Sequence, residues 1–551
     1  MVFKKEQSWD RKIALVLVLL FITAASGLLI YDHDLWNPHE HRVGAIVKEM
    51  ADSGNLVVPT LNGQPFLQKP PLYHVTAVSI FQLFKGEPAR TIRITSAFYG
   101  LLTLIACARI GFILGGVRIA LASSAALASM AGFLQASHFI LVDTALVAFV
   151  ALSWWAFMEY QERERKVHLV LVWVFAAGAF LSKGVIGIAL IFPGILVFLL
   201  WVRSWRQIFC PWQIAGLVAF VGISAIWLIP LALHDSGESF RYWIFHENLG
   251  RFLGSTHGHH AEGPWFYIPG FFVITLPWSP WLLVQVVDRL RRWEKDLTRM
   301  EILSLCWAGV GLILLSLADN KRELYAYPLL PPAAILLAAF LGNREQLLGS
   351  RIWSLSWPIL SLLAVPAMIL ASFLGYADYP SPWFYFSAGS LVAVLGFLSI
   401  RRLLAHPGGL GMPAFWIAPC LLIVQIAILY VPAVDAVVSH RPGMLKIAAL
   451  IDPDDTPVAY RFGETELGSF SFYTGRRVIL IENEEDLYDY MSRHPDKILL
   501  ARKKRWPFQM KPEDLDRQLI GSVQVGRDRH IFVLRFDGAI KLSSIFEGKD
   551  E

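Results

Sequence analysis

Long apolar runs separated by short polar connectors fill the chain from about residue 13 to residue 431. They fall at residues 13–30, 91–114, 117–136, 139–160, 168–181, 185–202, 214–233, 265–287, 302–317, 324–341, 352–374, 383–398 and 415–431. A bilayer core takes roughly 20 apolar helical residues, so the pattern predicts about thirteen transmembrane helices. Beyond residue 439 the pattern changes. Short β-rich runs at 457–461, 477–481, 497–501 and 531–535 alternate with helical stretches at 482–492 and 512–519, which predicts a small α/β domain. The expected fold is a multi-span α-helical membrane protein over residues 1–432, with an outer loop at 32–90, followed by a soluble α/β domain over 433–551.

Orientation follows from the basic residues. Lys4, Lys5, Arg11 and Lys12 precede the first run, which is long for a signal peptide and has no small-residue cleavage site after it. The N-terminus is therefore expected in the cytoplasm. Alternating about thirteen spans from there places the basic loops around Arg163, Arg203, Arg289, Arg344 and Arg401 inside, as the positive-inside rule requires. The same alternation puts residues 32–90, 234–264 and 319–323 outside, together with everything after about residue 432.

Composition agrees with many spans. Of the 551 residues 55% are hydrophobic and only 17% charged, and the mean hydropathy is +0.49, which excludes a soluble globular protein. The net charge of +5 is modest and its basic residues sit between apolar runs, so no nucleic-acid partner is expected. Cys107, Cys210, Cys306 and Cys420 lie in or beside apolar segments without paired spacing and read as buried thiols.

The candidate chemistry gathers in the outer loops. Residues 32–72 hold His39, Glu40, His41, Arg42, Lys48, Glu49, Asp52 and Lys69 in one connector, and a long connector between spans marks function. Within it Val43, Ile46, Val47 and Met50 share one helical face, predicting an amphipathic helix resting on the membrane surface. Asp143, in HFILVDTALVAF, stands at the outer start of a span, where an ionisable group is costly. It and Glu40 are the carboxylates able to orient an acceptor or remove its proton; a solvated side chain is the competing reading for each. Arg42 and Lys69 suit a phosphate, with lipid headgroups as the alternative ligand. Lys183 in FLSKGVIG and Lys321 and Arg322 in DNKRELYAYPLLPP extend the basic set. The HGHH tract with His257, His259 and His260 is a weak metal signal, because loop spacing alone defines no ligand set. No Walker motif, GxGxxG or Ser–His–Asp pattern is present.

The runs LWNPHEHR, SGNLVVPTLNGQPFLQKPPLY, LVDTAL, FLSKG, HENLGRFLGSTHGHHAEGPWFY and NKRELYAYPLLPP, in that order, resemble the bacterial polyprenyl-phosphate-sugar-dependent glycosyltransferases. Lipid A 4-amino-4-deoxy-L-arabinose transferases and protein O-mannosyltransferases belong to that group. The resemblance implies a GT-C fold and an inverting transfer at the outer face of the bacterial inner membrane. The donor would be a sugar on undecaprenyl phosphate, and the acceptor lipid A, another surface glycan or a protein. It implies catalytic roles at His39, Glu40 and Asp143, and donor-phosphate contacts from Lys69, Arg251 and Tyr325, with Arg42 and Lys321 nearby. Two positions depart from the family pattern: His39 replaces its first acid, and Gln68 replaces the glutamate before the lysine. The first shifts the base role to Glu40 or Asp143. The second weakens any carry-over of a metal site, so no metal ligand is assigned, and a divalent metal is the one cofactor left open. A flippase or transporter is the rival class, but it predicts repeats and midplane charges, whereas these charges crowd the outer boundary. An inactive binding module for lipid-linked sugar is the third reading, favoured by His39 and Gln68.

Overall fold

A computed structural model describes residues 33–36, 38–250, 262–291, 297–318, 321–342, 431–505, 519–527 and 529–535. The chain forms two compact units: one from Met1–Tyr31, Leu67–Ala77 and Arg93–Tyr430, the other from Asp32–Phe66, Val78–Ile92 and Val431–Glu551.

The first unit is helical. Among the described residues three helices are long and apolar enough to cross a membrane: Pro88–Val117, Trp212–Asn248 and Arg299–Leu317. A bent pair, Ile119–Ala128 and Ala131–His138, makes a fourth if it is one span. These lie on the runs expected at 91–114, 214–233, 302–317 and 117–136. The runs at 13–30, 352–374, 383–398 and 415–431 fall outside the described residues. On the Trp212–Leu233 helix Ile214, Val218, Ile226 and Leu233 are each at least 66% exposed. An apolar helix that hides so little of itself inside protein has lipid as its solvent.

The centre of this unit is a helical hairpin, Asp143–Arg163 followed by Val167–Lys183. Glu164 turns the chain in the left-handed region (φ 54°), and its N–H donates to the Tyr160 carbonyl, closing the first helix. The two helices pack closely: a Cβ on Gly178 would stand 2.4 Å from the Phe149 ring. Trp154 stacks on Trp307 at 5.2 Å and holds the hairpin to the following helices. At the hairpin's closed end the buried Glu159 accepts from Arg109, at 2.5 Å, and lies 2.8 Å from Arg163. Its open end brings together the first residue of one helix and the last of the other, Asp143 and Lys183.

The second unit contains a five-stranded mixed sheet in the order Ile479–Ile481, Val458–Tyr460, Ile498–Arg502, Arg529–Arg535, Leu519–Val525. The first three strands are parallel and the last two pair antiparallel. Helices Glu464–Thr474 and Glu484–Arg493 link the strands. Leu519, expected at the end of a helix, starts a strand; the rest of that expected helix, 512–518, is outside the described residues.

Asp32–Phe66 and Val78–Ile92, most of the outer loop expected at 32–90, belong to this unit, whereas the sequence reading grouped the loop with the spans. The helix Pro38–Ser53 is longer than predicted, and its apolar face is covered by protein rather than free for lipid. Val43, Ile46, Val47 and Met50 are at most 3% exposed. The partner is the Glu464–Thr474 helix: a Cβ on Gly468 would lie 2.6 Å from the His41 carbonyl oxygen, so only glycine allows this approach. A tight hairpin follows, Thr60–Leu61 against Gln64–Pro65, turned by Asn62 and Gly63 at φ 55° and 77°. Asn-Gly is the preferred pair for such a turn. Asn62 exchanges two hydrogen bonds of 2.9 Å with the Val478 backbone. The buried Glu49 carboxylate accepts from Thr60 Oγ1, the Asn62 and Gly63 amides and Ser471 Oγ, at 2.7–3.1 Å.

Candidate active site

Asp143 opens its helix and Lys183 closes the neighbouring one, so each charge has the sign its helix end favours. The Lys183 ammonium donates directly to Asp143 Oδ1. Lys69 Nζ stands 3.5 Å from the other oxygen, Oδ2. The carboxylate is 2% exposed, and the Lys183 side chain 7%, whereas Lys69 retains 20%. Burial of a charge is tolerated only with such pairing. Lys183 Nζ also sits 3.8 Å from the centroid of the Tyr325 ring, a close cation–π contact.

Local ties fix these groups. Lys69 precedes Pro70 and Pro71, which lead into the helix Leu72–Phe84. Tyr73 and Ser96 share a hydrogen bond of 2.7 Å between their hydroxyls, and the Leu141 amide donates to Ser96 Oγ at 3.5 Å. Thr76 and Tyr99 are joined at 2.8 Å. These contacts bind the Lys69 segment to the approach of Asp143. Tyr325 lies in the 3-10 turn Glu323–Leu329, which is anchored by Tyr327 donating to Gln135 Oε1 at 2.5 Å. Gly184 ends the Lys183 helix at φ 72°, and a Cβ there would be 2.6 Å from Asn248 Oδ1.

Of the residues expected from sequence, Lys69, Asp143 and Tyr325 therefore converge. Lys183, noted only as one more outer cation, contacts Asp143 and Tyr325. Its signal was available: two helical patterns with a basic connector form a hairpin, which places the ends Asp143 and Lys183 side by side. Lys321 donates to the Glu262 and Ala318 carbonyls at 2.8 and 2.6 Å. Arg251 and the HGHH histidines lie outside the described residues.

His39, Glu40 and Arg42 belong to the second unit. Glu40 is fully buried and accepts from the Trp36 amide at 3.0 Å. Arg42, expected near phosphate, forms an ion pair with Glu464, stands 3.1 Å from His39 Nδ1 and lies over the Phe66 ring. The pair joins the helices Pro38–Ser53 and Glu464–Thr474 within one unit. Among the described residues no three His, Cys, Asp or Glu side chains gather as a metal set.

Residues 68–228 match the model of the dolichyl-phosphate-mannose-protein mannosyltransferase family, a stretch that includes Lys69, Asp143 and Lys183. The fold is similar to that of ArnT from Cupriavidus metallidurans bound to undecaprenyl phosphate: the TM-score is 0.73 at 19% identity, covering 97% of this chain and 99% of that one. It is also similar to the archaeal oligosaccharyltransferase AglB from Archaeoglobus fulgidus, with TM-score 0.51 at 11% identity over 90% and 70% of the two chains. The fold is thus the GT-C membrane architecture, and part of the chain matches a glycosyltransferase family. More particularly, the chain is 28% identical to the undecaprenyl phosphate-alpha-4-amino-4-deoxy-L-arabinose arabinosyl transferase of Shewanella sediminis, over 85% of both proteins. The protein of the same name from Pseudomonas savastanoi pv. phaseolicola is 30% identical over 56% of this chain and 57% of its own length.

Proposed function

We propose that this protein is an inverting glycosyltransferase of the bacterial inner membrane that moves a sugar from undecaprenyl phosphate to lipid A or a related glycolipid outside the cytoplasm. The observation that carries the reading is the buried cluster of Asp143 with Lys69 and Lys183, packed beside Tyr325. In the reaction an acceptor oxygen attacks the anomeric carbon, and the bond from that carbon to the phosphate oxygen breaks, its electron pair leaving on the phosphate. Charge therefore grows on the phosphate in the transition state. Fixed cations and hydroxyls in a site of low dielectric stabilise it best. Lys69 and Tyr325 fill that role, with Arg251 as the third ligand implied by the resemblance.

The base is the less demanding part. A lipid A phosphate acceptor is already ionised, so replacement of the family's first acid by His39 is compatible with transfer. For a hydroxyl acceptor, Glu40 or Asp143 would have to take the proton. Gln68 offers an amide where the family pattern has a carboxylate, and a neutral amide is a weak ligand for a divalent cation; no step here is routed through a metal. The basic loops support a cytoplasmic N-terminus, which places the site and the sheet-containing unit in the periplasm.

The match of residues 68–228 to a protein mannosyltransferase family favours one alternative, a protein acceptor. Purified full-length protein in detergent, supplied with radiolabelled undecaprenyl-phosphate sugars, separates the two. Label should move to lipid A and not to peptide. Label on peptide alone would replace the acceptor, and no transfer from any undecaprenyl-phosphate sugar would defeat the reading.

A further inference from the structure

We infer that Arg502 and Arg529 form a phosphate-binding site in the sheet-containing unit, at the point where its strand order reverses. From Val458–Tyr460 the chain passes through the helix Glu464–Thr474 to the parallel strand on one side, Ile479–Ile481. It then returns through Glu484–Arg493 to the parallel strand on the other side, Ile498–Arg502. The two helices cover opposite faces: Leu467 shares a core with Ala459 and Leu500, and Leu487 shares one with Val458 and Leu499. Ligands of open α/β sheets bind beyond the carboxyl ends of the strands at such a reversal. Arg502 is the carboxyl-terminal residue of its strand. Arg529 opens the antiparallel neighbour, just before Ile531, which pairs with Arg502. Glu466, in the first turn of the helix that follows Val458–Tyr460, completes the group.

The arginines' partners use them only in part. Arg502 Nη1 and Arg529 Nε stand 3.4 and 3.5 Å from the same oxygen, Glu466 Oε1. A charge-assisted hydrogen bond is about 2.7–2.9 Å long, so neither contact is one. The other oxygen, Oε2, accepts from the Gly463 amide at 3.0 Å, and Arg529 Nη1 lies 3.3 Å from His440 Nε2. Among the described residues Glu466 is the one carboxylate paired with either arginine, and Arg502 makes no side-chain hydrogen bond. Arg502 Nε, Arg529 Nε and Glu466 Oε1 are sealed from water without a hydrogen-bond partner. Such atoms are rare in folded proteins and call for a cause. The arginine side chains keep 16% and 17% of their surface, against 3% for Glu466, so an anion can reach the two cations and not the carboxylate. Guanidinium forks match phosphate geometry, and one phosphate has oxygens enough to accept from both.

The test is hydrogen exchange of the purified full-length protein in detergent, followed over residues 463–471, 498–502 and 529–533. Inorganic phosphate, compared with chloride at equal ionic strength, should slow exchange there. A second arm adds lipid A or its dephosphorylated form. Protection by phosphate ion supports the site with a free anion as ligand; protection by lipid A, and not by the dephosphorylated form, supports it with a lipid headgroup. Arg502→Gln should weaken binding about tenfold or more, the scale of a hydrogen bond to a charged group. Arg502→Lys keeps a cation beside Glu466 but loses the fork, so it should weaken binding roughly threefold while holding the wild-type heat-unfolding midpoint. It decides the matter if Arg502→Gln folds poorly. Lys69→Ala, which removes a cation of the proposed donor site, should leave protection of these segments as in wild type. Protection that disappears in Lys69→Ala would assign the phosphate to the donor site and overturn the inference. So would protection by neither ligand, or binding unchanged in both Arg502 variants.

Discussion

Asp143 and Glu49 are both buried carboxylates, 2% and 9% exposed, and they are satisfied in opposite ways. Glu49 accepts from two backbone amides and two hydroxyls, and among the described residues no lysine or arginine pairs with it. Asp143 faces two ammonium groups on long, flexible side chains. Neutral donors fixed by a turn hold an anion in one geometry and confer stability. Mobile cations can be shared with a second anion that enters and leaves. Burial of an acid is thus no sign of chemistry by itself; the partners decide.

The comparison is broken most sharply at its catalytic side. Lys69→Ala should lower transfer by about a hundredfold or more, the loss seen when a fixed stabiliser of developing charge is removed. Turnover assays should show that fall with a heat-unfolding midpoint close to wild type, because Lys69 is partly exposed. Transfer at the wild-type rate would remove Lys69 from the site. On the structural side, Glu49→Ala strands four donors and should cost about 3 kcal/mol. The midpoint should drop, and limited proteolysis should open the chain near the Asn62–Gly63 turn. An unmoved midpoint would show that water replaces the carboxylate without loss.

Gly468→Ala sharpens the same side. The added methyl meets the His41 backbone carbonyl, which cannot rotate away, so about 1–3 kcal/mol should be lost as the two helices separate. The smallest effect belongs to a surface pair. Asp455 accepts a hydrogen bond from Lys497 and raises that lysine above its ordinary value of 10.5. A raised lysine stabilises fully below its unfolded pKa and loses that contribution as pH climbs through the folded value. Lys497→Ala should therefore cost less than about 1 kcal/mol at pH 8, the range of exposed pairs. The gap between variant and wild-type midpoints should close toward pH 11. A gap that widens there would reverse the sign.

Much of the architecture was legible because period and length are local. Apolar runs at 91–114 and 302–317 match their spans to within a few residues, and the run at 214–233 matches the start of a third that extends to Asn248; the five-stranded sheet lies after residue 439, where the pattern changes. The Pro38–Ser53 helix shows where that reading stops. Its face was recognised, but an apolar stripe does not say whether lipid or protein will cover it, and the partner helix lies more than 400 positions away. Site residues divided along the same line. Asp143 stood out as a charge at a span boundary, and Lys69 as a basic residue of the outer loop suited to phosphate. Lys183 did so only weakly, because its significance is a contact made by folding the hairpin. Arg42 and Lys321 also have partners, Glu464 and two carbonyls, that no local pattern announces.

The claim that the donor phosphate is held at the Asp143 cluster is tested most directly by a structure of the full-length protein with undecaprenyl phosphate bound. The account predicts the phosphate within hydrogen-bond distance, about 3 Å, of Lys69 Nζ and the Tyr325 hydroxyl, with Lys183 still on Asp143. A phosphate seated on Lys183, or away from the cluster altogether, would contradict it.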